Sequence, residues 1–315
     1  MKRKLVLVLV AFVLAVTIIY IFIPSKISFT YQVIANCTEA GASRMMIKSN
    51  RWNNWWPGVK KDNTTYQFNN LEFKIDKILL NGFEATLQNS GNFSQGYLQL
   101  FAATDSTAKF VWSGTNLLSG NPAKRVMQYF QIKNTNEQII GLLDKMKIHF
   151  SDQKNIYGFR AVEERVKDSS MITVKKVITH YPTVAEIYET IDAIKVFISN
   201  KGVKEKGQPL LNITKSGTTL YYVMIAIPVE KDIASEGMFE LKKMILGNVI
   251  KAEIIGGIHT VNKGEDELFN YLNDYNRSSP AIPFQELVTN RIEEKDSLKW
   301  ITNLYYPVFK KTSAY

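Results

Sequence analysis

The chain has 315 residues, a formal net charge of +10 and 45% hydrophobic residues, a composition typical of globular proteins and a length sufficient for two domains. Its basic residues are scattered, and no helix-turn-helix, zinc-finger or RNP motif accompanies them, so the charge does not predict nucleic-acid binding. Its one cysteine cannot form an internal disulfide. We attribute the positive charge to solubility or to attraction towards an anionic membrane surface.

The first element is an uncharged apolar run over residues 5–23, which follows three basic residues and ends at Pro24. As a helix, this run spans roughly 28 Å, enough to cross the hydrocarbon core of a bilayer. A cleaved signal peptide is the alternative, but the bulky residues before Pro24 do not resemble its small-residue cleavage site. Because basic residues precede the run, we expect the N-terminus in the cytoplasm and residues 26–315 outside it.

Residues 26–150 form the first folded region, after a stub and anchor over residues 1–25. A strand and a short helix lead to an Asn- and Trp-rich turn, four further strands and a last amphipathic helix. Asn81-Gly82, between two of these strands, is a strong hairpin signal. The predicted ranges are 27–35, 71–78, 83–88, 95–102 and 108–115 for the strands, and 39–47 and 136–150 for the helices.

This order of elements resembles the START-like (SRPBCC, polyketide-cyclase-like) helix-grip fold. The phrases that carry the resemblance are Trp52-Asn53-Asn54-Trp55-Trp56-Pro57, Val111-Trp112-Ser113, Gly120-Asn121-Pro122 and the helical segment 140–147. The last segment is similar to that of membrane-anchored bacterial members that pair this fold with a GyrI-like domain. The resemblance implies an apolar cavity between the sheet and the last helix. The three tryptophans of the turn either line its mouth or pack as structural residues.

A strand-helix-strand-strand pattern occurs twice between residues 171 and 308, after a polar connection over residues 151–168. Both copies end in a similar phrase, Ile227-Pro228-Val229 and Tyr306-Pro307-Val308, in which proline removes a ladder donor. Two such copies commonly pack about a pseudo-two-fold axis, and the seam between them is a natural ligand cleft. The predicted ranges are 171–179, 183–200, 208–214 and 219–229 for the first copy, and 248–255, 266–276, 284–290 and 300–308 for the second.

The repeated region, with boundaries at 169–315, resembles the GyrI-like effector-binding domain, which is also found attached to AraC-type and MerR-type regulators. The matching phrases are Gly207-Gln208-Pro209, Gly256-Gly257 and the segments 225–229, 283–290 and 300–308. The resemblance implies a module that binds amphipathic, often cationic, aromatic small molecules. A few members of the family resemble hydrolases.

The predicted fifth strand departs from the family pattern. The family has Glu, any residue and Tyr there, whereas an alignment without a gap places Gln285 and Leu287 at those positions. Glu286 then points to the opposite face of the strand, and a one-residue slip would turn it into the cleft instead. A neutral Gln in place of a buried carboxylate predicts neutral amphipathic aromatic or isoprenoid-like ligands in preference to cationic dyes. The predicted ligand-binding residues are Tyr222, Gln285, Glu286, Leu287, Trp300, Thr302 and Tyr306.

The sequence contains no catalytic or metal-binding pattern. Its three histidines lack metal-ligand spacing, and neither a Gly-x-Ser-x-Gly elbow nor a phosphate loop occurs. We therefore predict no catalytic residue, no metal and no cofactor.

The predicted fold class is α+β: an N-terminal transmembrane helix, a helix-grip antiparallel sheet domain and a duplicated β-α-β-β domain with pseudo-two-fold symmetry. The predicted function is non-catalytic binding of a hydrophobic or amphipathic aromatic molecule by a protein anchored in a bacterial inner membrane through residues 5–23. Nucleic acid is not a predicted partner, and no protein partner is assigned. Two alternatives remain open: an enzyme of the cyclase or hydrolase type acting on a hydrophobic or polyketide-like compound, and an envelope protein that binds a partner.

Overall fold

The computed structural model describes residues 2–89, 92–166, 170–244 and 247–309, and the chain divides into two compact units, Met1–Ile156 and Tyr157–Tyr315. Each unit combines helices with an antiparallel sheet, which confirms the predicted α+β class. The domain boundaries at residues 25, 150 and 168 stay predictions.

The N-terminal element is a single apolar helix, α1 (Lys2–Phe22), with no acidic residue in its first turn. Its apolar side chains are not buried against the rest of the protein. By length and composition α1 can cross a membrane, and a signal sequence satisfies the same criterion.

The first unit is built on a seven-stranded antiparallel sheet with the order β1-β7-β6-β5-β4-β3-β2. Its strands are β1 (Lys26–Ala35), β2 (Val59–Lys60), β3 (Thr65–Phe68), β4 (Leu71–Leu79), β5 (Gly82–Asn89), β6 (Asn92–Thr104) and β7 (Thr107–Leu117). Its helices after α1 are α2 (Glu39–Ile47), α3 (Trp52–Trp55) and α4 (Pro122–Ser151).

Aromatic side chains fill the space between this sheet and its helices. The Trp52 ring lies 5.0 Å from that of Trp55 and 4.9 Å from that of Phe83, measured between ring centroids. Trp55 in turn lies 5.7 Å from Phe150 on α4. Trp52 and Trp55 are each only 1% exposed. The tryptophans of the Asn- and Trp-rich turn therefore pack as structural residues.

The last helix of the first unit is about twice as long as predicted. The predicted range 136–150 followed the apolar stripe that is buried in the structure, whereas α4 begins at Pro122. The side chain of Asn121 caps this helix by accepting a hydrogen bond from the Lys124 amide at 3.1 Å. The early turns lack the stripe, because their apolar side chains Met127 and Phe130 are exposed.

The second unit is built on an eight-stranded antiparallel sheet with the order β12-β9-β11-β10-β14-β15-β13-β8. Its strands are β8 (Ala161–Arg165), β9 (Ser170–Ile178), β10 (Leu210–Ser216), β11 (Leu220–Val229), β12 (Glu240–Lys243), β13 (Asn248–Ile255), β14 (Phe284–Leu287) and β15 (Ile301–Val308). Two long helices, α6 (Val184–Asn200) and α7 (Ile258–Asp274), connect strands, and the short α5 (Gln153–Tyr157) contains the boundary between the units.

Local sequence explains where each of the two long helices begins. α6 begins with a capping box, in which Thr183 and Glu186 satisfy each other's backbone amides. α7 begins at Ile258 instead of the predicted 266, because its buried stripe also includes Val261 and Gly264. A Cβ at Gly264 would lie 2.8 Å from the Cδ1 atom of Ile254, so glycine permits the close approach of α7 to β13.

The segment 151–168, predicted as a polar connection, contains α5 and the edge strand β8 in the structure. β8 pairs antiparallel with β13, and Glu163 accepts a hydrogen bond from the Arg277 guanidinium at 2.8 Å. A charged edge strand has the same local composition as a solvated linker, so its pairing was not visible in the sequence.

Candidate ligand-binding cleft

The two helices of the second unit pack against different pairs of strands in its sheet. α6 packs against β9 and β11, and α7 packs against β13 and β15. The central strands β10 and β14 lie between these pairs and bond to each other, with Leu211 opposite Gln285. The space between α6 and α7 faces the helix side of β10, β14 and β15, where Leu211, Gln285 and Leu287 are buried. We call this space the inter-helix cleft.

Five of the seven predicted site residues belong to the helix side of the sheet. Leu287 is part of the buried core together with Leu211 and the apolar stripe of α6. Leu287 pairs with Thr302 across β14 and β15, and Gln285 pairs with Leu304. Because alternate residues of a strand share a face, Thr302 and Tyr306 point to the same side. Trp300, which directly precedes β15, is buried. The predicted alternation along β14 and β15 is therefore present in the structure.

The other two predicted residues, Tyr222 and Glu286, lie on the opposite face of the sheet. Glu286 accepts hydrogen bonds there from the Asn303 side-chain amide at 2.7 Å and from the Tyr305 hydroxyl at 3.1 Å. Tyr222 is 48% exposed. Its place on the helix side is taken by Tyr221, whose ring meets that of Tyr181 edge-on at 5.8 Å. Strand alternation separates these neighbours, so the choice of Tyr222 as the cleft residue was off by one position.

A carboxylate from α7 lies beside the predicted fifth-strand amide. The Nε2 atom of Gln285 donates a hydrogen bond to the Oε1 atom of Glu265 at 2.9 Å. Burial raises the pKa of Glu265, while the hydrogen bond from Gln285 opposes that rise. A carboxylate of α7 therefore lies within hydrogen-bonding distance of the β14 amide on the helix side of the sheet.

Sequence reasoning missed Glu265, although a signal for it exists. Glu265 stands four residues after Val261 and three before Leu268, both of which are buried on the inward stripe of α7. A carboxylate at helical spacing within an apolar stripe indicates a buried acid.

A buried cation occupies the same side of the sheet. Arg291 is 5% exposed, and burial lowers its pKa. Its guanidinium donates to the Oγ1 atom of Thr302 at 2.9 Å and lies 5.2 Å from the centroid of the Trp300 ring. Its backbone amide donates to the Tyr188 hydroxyl at 2.8 Å. Trp300 and Thr302 therefore hold Arg291 in place, a role that was not predicted for either residue.

Glu265 raises the pKa values of two nearby tyrosines, and Arg291 lowers the pKa of one of them. Burial raises the pKa of Tyr181, and Glu265 raises it further while Arg291 lowers it. Burial likewise raises the pKa of Tyr306, with a further contribution from Glu265. Tyrosine rings, the Glu265 carboxylate and the Arg291 guanidinium therefore lie near one another on the helix side of the sheet. Among the described residues, no three His, Cys, Asp or Glu side chains converge on a point that could hold a metal ion.

The opposite face of the same sheet contains a separate cavity of about 220 Å³. Its walls are almost entirely apolar, and they include Leu210, Met224, Ala226, Val249, Ile282, Phe284 and Pro307. Among the described lining residues, the polar side chains are engaged: Asn212 donates to the Pro283 carbonyl and Asn248 donates to Glu163, each at 2.8 Å.

Of the comparisons with known proteins, only the one with solved structures found matches. No family model matches the chain, and no curated protein matches it. Among solved structures, the EcmrR–DNA complex is 13% identical, with a match that covers 60% of this chain and 71% of that chain at a TM-score of 0.45. The C-terminal domain of EcmrR is 13% identical, with coverages of 49% and 99% and a TM-score of 0.43. A protein solved with bound tetraphenylphosphonium is 13% identical, with coverages of 47% and 93% and a TM-score of 0.33.

Proposed function

We propose that the second unit binds an amphipathic aromatic small molecule in the inter-helix cleft, and that α1 anchors the protein in a bacterial inner membrane. We further propose that the unit is a duplicated β-α-β-β domain and that the cleft lies at its pseudo-two-fold seam. The observation that carries the binding proposal is the hydrogen bond between Gln285 of β14 and Glu265 of α7, on the helix side of the sheet.

The chemistry of the cleft indicates what the ligand carries. Aromatic rings such as those of Tyr181, Tyr221 and Tyr306 offer broad apolar area with polar edges that orient a guest. Glu265 accepts hydrogen bonds from a donor group, and a protonated amine would gain most from it. The Arg291 guanidinium donates to the Thr302 hydroxyl, and it has further N–H groups that can donate to a carbonyl or hydroxyl of the ligand. We therefore propose an aromatic ligand with a cationic or donor group at the Glu265 end and an acceptor at the Arg291 end.

This ligand class differs from the neutral one predicted from Gln285 alone. That prediction assumed that no other carboxylate replaces the family acid, whereas Glu265 lies within hydrogen-bonding distance of Gln285. Non-catalytic binding is the proposed activity. Nucleic acid is not a proposed partner, because the basic residues are not grouped in a recognised binding motif.

The binding proposal is tested by titrating full-length protein in detergent with two probes of similar shape. These are cationic tetraphenylphosphonium and neutral triphenylphosphine oxide. We expect Glu265→Gln to weaken binding of the cation by at least about tenfold, because the attraction between the carboxylate and the positive charge is lost. Binding of the neutral probe should change little.

The matched control is Glu253→Gln, which neutralises an exposed acid on the opposite face of the sheet. Equal losses in both variants, or no cation binding by the wild type, would remove the proposed role of Glu265. Recovery of a chemically altered ligand after incubation would favour the enzyme alternative.

The anchor and its orientation are tested by fusions to the C-terminus in a bacterial host. Alkaline phosphatase should be active there and green fluorescent protein dark, since the basic residues at positions 2–4 keep the N-terminus in the cytoplasm. The reverse pattern would contradict the proposed topology.

A further inference from the structure

Three exposed apolar side chains lie near the turn between β7 and α4, at the end of the first unit that adjoins α1. Leu117 is 78% exposed, Met127 is 55% exposed and Phe130 is 63% exposed. Leu117 ends β7, and the other two lie in the early turns of α4. These side chains do not belong to the aromatic interior of the unit, so they need a different explanation.

The structure joins this region directly to the end of α1. The backbone amide of Leu118 donates to the Ser25 carbonyl at 2.9 Å. The Tyr20 hydroxyl donates to the Gly120 carbonyl, and the Arg125 guanidinium lies 4.7 Å from the centroid of the Tyr20 ring. The turn between β7 and α4 is thereby held at the level of the last turns of α1.

The lengths of α4 and β1 place the early turns of α4 at the level of the last turns of α1 as well. The far ends of both elements meet where the Asn36 amide donates to the Ser151 hydroxyl at 3.0 Å. α4 has 30 residues, about 45 Å, whereas β1 has 10 residues, about 33 Å. α4 therefore extends past the first residue of β1, on the side where α1 ends.

Charge around these side chains has one sign. No acidic residue occurs between Asp105 and Glu137, and Lys124 and Lys133 are exposed on α4. At steps of three residues, Lys124, Met127, Phe130 and Lys133 form a band around one side of the helix with a lysine at each edge. Apolar centres with basic edges are typical of helices that lie in the headgroup region of anionic membranes.

We propose that the surface formed by Leu117, Lys124, Met127, Phe130 and Lys133, here named the membrane-proximal surface, inserts into the headgroup region of an anionic bilayer. The contact is on the side of the membrane where α1 ends. Its apolar side chains enter the interface and its lysines bind lipid phosphates. This inference rests on the proposed anchoring by α1.

The test uses full-length protein reconstituted into vesicles of equimolar phosphatidylcholine and phosphatidylglycerol. The free, buried Cys37 is replaced by serine, and one fluorescent label is attached through Phe130→Cys, Ile148→Cys or Val10→Cys. Ile148 is the matched control, since it is 67% exposed on the same helix, about 27 Å further along its axis. Nitroxide lipids of known depth then quench whichever labels contact the bilayer.

We expect headgroup-level nitroxides to quench the label at position 130 strongly and the label at 148 weakly, and bilayer-centre nitroxides to quench the label at position 10. Adding Lys124→Gln and Lys133→Gln should reduce quenching at position 130 several-fold. If only position 10 is quenched, the anchor stands and this inference fails, whereas loss of quenching at position 10 rejects the anchor itself. A label at 130 that is shielded from water but not quenched by lipid would indicate a protein partner and overturn the proposal.

Discussion

The two units use aromatic side chains differently. In the first unit, rings pack mainly against other rings, and the buried indole nitrogens of Trp55 and Trp112 have no hydrogen-bond partner among the described residues. In the second unit, Tyr181 and Tyr306 lie close enough to Glu265 for the carboxylate to raise their pKa values. Aromatic side chains that pack only against other apolar side chains contribute stability, whereas aromatic side chains beside ionisable groups can orient a guest. Recognition is therefore expected in the second unit.

The largest expected effect comes from Trp52→Ala in the first unit. Removing this fully buried indole leaves a cavity and should lower the free energy of unfolding by about 3–5 kcal/mol. Hydrogen exchange followed by mass spectrometry of peptides from each unit measures the loss. Ile148→Ala, at an exposed position, should change stability by less than about 0.5 kcal/mol. Weaker tetraphenylphosphonium binding by Trp52→Ala protein that is still folded would break the division of roles between the units.

An intermediate effect is expected from Thr302→Val in the second unit. The substitution preserves shape but removes the acceptor of the Arg291 guanidinium, which should cost about 1–3 kcal/mol of unfolding free energy. Thr173→Val is the control, because the buried Thr173 hydroxyl has no hydrogen-bond partner within the part of the chain that the structure describes, so the change should be neutral or stabilising. Equal losses measured by denaturant unfolding would show that Thr302 does not support Arg291.

The smallest expected effect is a dependence on pH that comes from Glu265. Because burial raises its pKa in the folded state, the folded protein binds this proton more tightly than the unfolded chain does. The contribution of Glu265 to the free energy of unfolding is therefore fully present below its pKa in the unfolded chain. That contribution declines as pH rises through its pKa in the folded protein. Relative to the wild type, Glu265→Gln should gain stability with increasing pH in that window. Parallel stability curves for the two proteins would contradict burial of the carboxylate.

Features that depend on neighbouring residues were predictable from the sequence. The apolar run of α1, the capping box and stripe of α6, and the shared face of Gln285, Leu287, Thr302 and Tyr306 all follow from periods of 3.6 or 2 residues. These periods reflect backbone geometry, which each segment adopts with the same repeat wherever it packs. The helix-side residues of β14 and β15 were predicted correctly as sharing a face for this reason.

Features that depend on distant residues were decided by the tertiary structure. Glu265 and Arg291 meet the predicted floor only because α7 and the segment after β14 converge on the same side of the sheet. The choice between Tyr221 and Tyr222 required the pairing of β11 with β9 and β10, since a shift of one residue reverses a strand's faces. The pairing of β8 likewise depends on its packing partner. Local periodicity defines which side chains share a face, and long-range pairing decides which other parts of the protein that face contacts.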